Sequence, residues 1–111
     1  MKKTFNKLVR DKIPSKIEKN GETAITRILS DEEYKKELYK KLLEEANEVI
    51  NSQKFDETLE ELADVLEVLK SIAELNNKSL DYIIELAEQK RLKRGGFEKR
   101  NFLEKTYSKE D

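Results

Sequence analysis

The residues of this chain best suited to chemistry are acidic. Glu45 and Glu48 lie three positions apart, and so do Glu61 and Asp64, within Glu44-Glu45-x-x-Glu48 and Glu60-Glu61-x-x-Asp64. On a helix, a spacing of three sets both members of a pair on one face. Carboxylate oxygens are hard donors, so four of them at one point suit magnesium, with manganese as the alternative. The chain has neither histidine nor cysteine. That removes Ser-His and Cys-His nucleophiles, thiol catalysis, disulfides and the usual zinc ligands. It also removes the Glu-x-x-His ligands of a carboxylate di-iron bundle.

The carboxylates need helices to hold them, and the local signals supply these. Ser30 followed by Glu33 reads as a capping box, opening a helix that runs to about Asn51. Asp56 is placed to cap a second helix ending near Asn76-Asn77, and Ser79 a third ending at Gly95-Gly96. Short connections make consecutive helices antiparallel neighbours, giving a small all-α antiparallel helix bundle. Ahead of it, Pro14 predicts a short helix ending near Asn20-Gly21, with Ile13 biased away from helix. TAITRIL (23–29) alternates and is β-branched, so it reads as a short strand or an extended arm.

A helical wheel separates inward from outward acids. In the first long helix Glu45 falls about 60° from Leu42, inside the apolar stripe, and Glu48 about 120°, at its edge. In the second, Glu61 falls about 100° from Leu62 and Asp64 about 160°, both within or bordering a broad apolar arc. Unrelieved, four such charges would cost several kcal/mol each to bury. Cations are one remedy; pairing with Lys40, Lys41 or other basic residues is the competing one. The breadth of the apolar arc on the second helix favours an oligomer.

At 111 residues the chain is expected to form one domain, 1–111, able to bury a core. A net charge of −1 conceals an asymmetry: residues 1–30 carry +5, residues 31–88 carry −10 and residues 89–111 carry +4. An acidic middle between basic ends suits a site that holds divalent cations and an anionic ligand together. The central charge disfavours nucleic-acid binding, because it repels a phosphate backbone. No stretch has the roughly 20 apolar residues of a membrane span, and MKKTFNKLVRDKIP has no apolar signal core. A soluble, cytoplasmic protein is expected.

The paired acidic motifs, with the opening NKLVRDKIP (Asn6–Pro14) and the ending KRGGFEKRNFL (Lys93–Leu103), resemble the MazG-like all-α nucleoside triphosphate pyrophosphohydrolases. The likeness includes a small-protein branch described as phosphoribosyl-ATP pyrophosphohydrolase-like, and it spans nearly the whole chain. It implies a homodimeric or homotetrameric helical bundle that binds magnesium through Glu45, Glu48, Glu61 and Asp64. It further implies cleavage of a nucleoside triphosphate to the monophosphate and pyrophosphate.

The chemistry expected is attack of an activated water on phosphorus, most simply the α-phosphorus, with Glu45 or Glu48 taking the proton. Lys7, Arg10 and Lys12 at the N-terminus, and Lys90, Lys93 and Arg94 near the C-terminal end of the third long helix, are candidates for the phosphates. Asp11 would orient one of the N-terminal cations. Gly95-Gly96 would let backbone N–H groups approach an anion, and Phe5, Phe97 and Tyr107 are candidates to stack on a base. The alternative from another class is a non-catalytic helical interaction module, whose apolar arcs serve a protein partner.

Overall fold

A computed structural model describes residues 2–110, which form four helices and no strand. They are α1 (Ile13–Lys19), α2 (Asp31–Asn51), α3 (Phe55–Leu75) and α4 (Leu80–Arg94). None of these is long and apolar enough to cross a membrane. The chain divides into two compact units, Met1–Leu80 and Asp81–Asp111.

Helix α2 starts as its sequence dictates. The Ser30 hydroxyl accepts from the Glu33 N–H at 3.2 Å, and the Glu33 carboxylate accepts from the Ser30 N–H at 3.2 Å. Asp31, Glu32 and Glu33 fill the first turn, where the helix dipole favours negative charge. Arg27 donates two further bonds to Glu33, at 2.9 and 3.2 Å, tying the preceding arm to the helix start. The arm itself, TAITRIL, has no regular structure, and Ile25 and Ile28 stand almost wholly in solvent. Alternation without a partner strand leaves no ladder to form, so the extended reading holds.

Two local expectations need correction. Asp56 is not a cap: α3 opens at Phe55 with Lys54 as N-cap, and Asp56 lies in the first turn. Glu57 does the capping instead, its carboxylate accepting from the N–H groups of Lys54 (3.3 Å) and Gln53 (3.4 Å). Likewise α1 begins at Ile13, one residue before the proline; Pro14 occupies the first turn, where its missing N–H costs nothing. Helix α3 closes over the two asparagines. Asn77 takes the left-handed conformation at φ 61°, and the Lys78 N–H returns to the Ala73 carbonyl at 3.0 Å.

The three residues Ser52–Lys54 join α2 to α3, and the helices fold back as an antiparallel pair. Burial concentrates where their apolar stripes meet. Leu38 of α2 and Val68 and Ala73 of α3 are buried, with Leu42, Val49, Val65 and Ile72 half-buried beside them. This core is thin, so Leu38→Ala is expected to cost about 2–5 kcal/mol. The apolar arc of α3 extends beyond this contact. Leu59, Leu62, Leu66 and Leu69 form a second stripe and retain 37–50% exposure.

In the second unit α4 starts directly after Ser79 and ends at Arg94. Gly95 follows at φ 81°, its N–H bonded to the Arg91 carbonyl at 2.7 Å. The glycine stop is as expected. Arg91, Lys93 and Arg94 complement the dipole in the last turn.

Candidate functional site

Helix α2 contributes Glu45 and α3 contributes Glu61 and Asp64, and these three converge. Each offers a carboxylate oxygen, and those oxygens all lie within 4.8 Å of one another. The register of the hairpin produces this arrangement. Ser52 and Thr58 face each other beside the link, their hydroxyls 2.7 Å apart. Seven residues back along α2 and three to six residues on along α3, the same antiparallel pairing sets Glu45 against Glu61 and Asp64. All three are half-buried.

The electrostatics of the cluster follow from that crowding. Burial is the leading cause that holds the Glu45 carboxyl above its ordinary range, with the Asp64 charge next and Lys41 pulling the other way. For Glu61 burial again leads, followed by the charges of Asp64, Glu48 and Glu45. The shared negative charge therefore disfavours the ionisation of Glu45 and Glu61, and a positive charge among them would relieve both.

Glu48 stands apart. It is exposed and absent from the group of three, although its charge is felt by both Glu45 and Glu61. It lines an open cavity of about 140 Å³ with Asn51, Ser52, Glu57 and Glu61. The wheel grouped it with the other three acids at the edge of the apolar stripe; in the fold it is exposed at the mouth of that cavity.

Basic groups are already present. Arg10 donates from Nη2 to Asp64 Oδ1 at 2.7 Å, from the segment preceding α1. Lys41 Nζ lies 3.5 Å from Glu44 and 4.0 Å from Glu45, whereas Lys40 pairs with Glu37 at 3.1 Å. Among the described residues Glu61 makes no ion pair. Structural pairing thus accounts for part of the cluster's charge and leaves the rest uncompensated.

The remaining predicted residues fall at several places. Lys7 lines an open cavity of about 100 Å³ with Lys40, Lys41 and Glu44. Lys12 is the exposed N-cap residue of α1. Lys90, Lys93 and Arg94 are exposed on α4, in the second unit. There Arg91 pairs with Glu98 across Gly96, so side chains cover the backbone that an anion would need. Phe5 lies between Lys3 and Lys7, 5.9 and 5.8 Å from its ring centre, while Phe97 and Tyr107 are exposed. Asp11 is exposed in the turn before α1.

The donor set fits a hard divalent cation. Two oxygens on one ion are separated by at most twice the metal–oxygen distance, about 4.2 Å for magnesium and about 5 Å for calcium. Only one pair among three oxygens can be opposite on an octahedral ion, and neighbouring ones lie about 3 Å apart, so a spread of up to 4.8 Å asks for a closure of up to roughly 1.8 Å for magnesium. Half-buried glutamates with rotatable stems can supply that movement. No family model matches the chain, nor does any curated protein or solved structure.

Proposed function

We propose that this chain is a magnesium-dependent nucleoside triphosphate pyrophosphohydrolase of the MazG-like all-α type, with manganese able to replace magnesium. The observation that carries the reading is the meeting of Glu45, Glu61 and Asp64 across an antiparallel helix pair, in a chain without histidine or cysteine. The motif resemblance supports it, since it selects these three carboxylates together with Glu48.

Glu45, Glu61 and Asp64 would hold the ion, and Glu48 at the mouth would complete its shell or hold a second one. A divalent cation there supplies Lewis-acid chemistry, offsetting phosphate charge and making water more acidic. The chain's own residues do the rest. Glu45 or Glu48 takes the proton from the attacking water. The water oxygen bonds to the α-phosphorus, the bond from that phosphorus to the α–β bridging oxygen breaks, and pyrophosphate leaves with the electron pair. Lys7, Arg10 and Lys12 offset the phosphate charge. The half-exposed leucines of α3 support self-association as a homodimer or homotetramer.

Screening ribo- and deoxyribonucleoside triphosphates for magnesium-dependent pyrophosphate release tests the proposal. Glu45→Gln and Asp64→Asn should each abolish turnover while the protein stays helical. Unchanged hydrolysis in both variants would remove the carboxylates from the mechanism. If neither magnesium nor any nucleotide raises the melting temperature, the non-catalytic interaction module becomes the better reading.

A further inference from the structure

We infer that Arg10 is the resident positive charge of the acidic cluster, and that a divalent cation displaces it from Asp64 and so frees it for phosphate. The inference rests on the cation-binding reading of that cluster. It starts from an unusual tertiary contact. Arg10 reaches a carboxylate 54 positions along the chain, from a segment that belongs to no helix. The carboxylate it reaches is the one whose other neighbours are Glu45 and Glu61. The guanidinium thus stands at one corner of the crowd of negative charge and offsets part of its repulsion.

Several features suit this contact to exchange. Both partners are well exposed, 58% for the Arg10 side chain and 42% for that of Asp64, so the pair holds only weakly. A guanidinium and a dication on one carboxylate repel each other, so binding of one loosens the other. Movement need involve only the side chain. The Arg10 carbonyl accepts from the Ile13 N–H at 3.0 Å, which fastens the backbone to the start of α1. A released arginine at the rim then presents a planar fork of donors, the geometry that matches phosphate oxygens. One residue would in this way report the loading of the site and complete the subsite for the anion.

The signature is a pair of opposite effects. Manganese binding, followed as free ion by electron paramagnetic resonance, should tighten about two- to fivefold in Arg10→Ala, as expected when a competing cation is lost from an exposed pair. With manganese saturating, binding of a non-hydrolysable triphosphate analogue should weaken about tenfold in the same variant, the loss of one charge-assisted contact. Lys16→Ala removes the same charge from α1 without touching the cluster and should change manganese affinity less than about twofold. In the wild-type protein, magnesium should shift the Arg10 guanidinium NMR signals to those of an unpaired arginine, a readout that needs no variant. Equal manganese affinity in Arg10→Ala and wild type overturns the inference and leaves the cation site standing. A parallel loss of manganese and triphosphate binding in Arg10→Ala, in step with lower stability, overturns it in favour of a structural role. Absence of saturable manganese binding in every protein overturns it together with the cation site.

Discussion

Ser52 and Thr58 bring their hydroxyl oxygens to 2.7 Å across the turn between α2 and α3, and this contact sets the register of everything beyond it. The protons can be accounted for. The Ser52 hydroxyl donates to the Val49 carbonyl at 2.7 Å, and the single Thr58 proton is divided between Ser52 and the Lys54 carbonyl at 3.1 Å. Thr58→Val keeps the shape and deletes the donor. It should cost about 1 kcal/mol of stability in urea unfolding and weaken manganese binding, because Glu45 and Glu61 would no longer be held in step. Unchanged binding despite lower stability would show that the helix cores alone set the register.

The carboxylate cluster should leave its mark on stability below neutral pH. Glu45 and Glu61 are held above their ordinary value of 4.5 in the folded chain, so the fold binds more protons than the unfolded chain in the window just above it. Stability from this source is fully present below 4.5 and is lost as pH rises through the raised values. Glu61→Gln, measured in chelator at low salt, should therefore melt higher than wild type at pH 7 and show a flatter slope from pH 7 to 4.5. A lower melting temperature at pH 7 would mean the charges are not in conflict.

Glu33 predicts the opposite sign. Its bonds to Arg27 and Ser30 lower its carboxyl from 4.5 to about 2. The stability it contributes is complete above 4.5 and disappears as pH falls through about 2. Glu33→Gln should melt below wild type at pH 7, with the two converging near pH 2. Circular dichroism melts across that range check it, and parallel curves would sink it.

The leucine stripe on α3 makes a prediction about assembly. Leu62 and Leu66 are each 47% exposed, too much apolar surface for a helix that works alone. Leu62→Glu combined with Leu66→Glu should turn a dimer or tetramer into a monomer in sedimentation equilibrium. A wild-type protein that is monomeric at every concentration would assign the stripe to another partner.

Much of this was legible in the chain itself, and the exceptions have physical causes. The Ser30–Glu33 box, the asparagine and glycine stops and the extents of α2 and α3 depend on neighbours within four residues, so local rules suffice. The wheel identified Glu45, Glu61 and Asp64 because helical period alone decides which side they occupy. It also grouped Glu48 with them, but that residue falls at the stripe's edge, where the facing helix and not the period decides burial, and it is exposed. Lys54 took the cap position from Asp56 because Glu57, one turn in, can satisfy the free N–H groups from inside the helix. The contact of Arg10 with Asp64 had no local signal at all: NKLVRDKIP has no period to read, and its place is set by a charge half the chain away.

The geometry of the hairpin carries one more consequence. Glu45 stands seven residues from the link, roughly 10 Å along the helix axis, while Leu38 and Ala73 of the buried core lie farther from it along the same two helices. The acids are thus braced from both ends, by a three-residue link on one side and packed side chains on the other, so an ion taken up there would have to suit the spacing it finds.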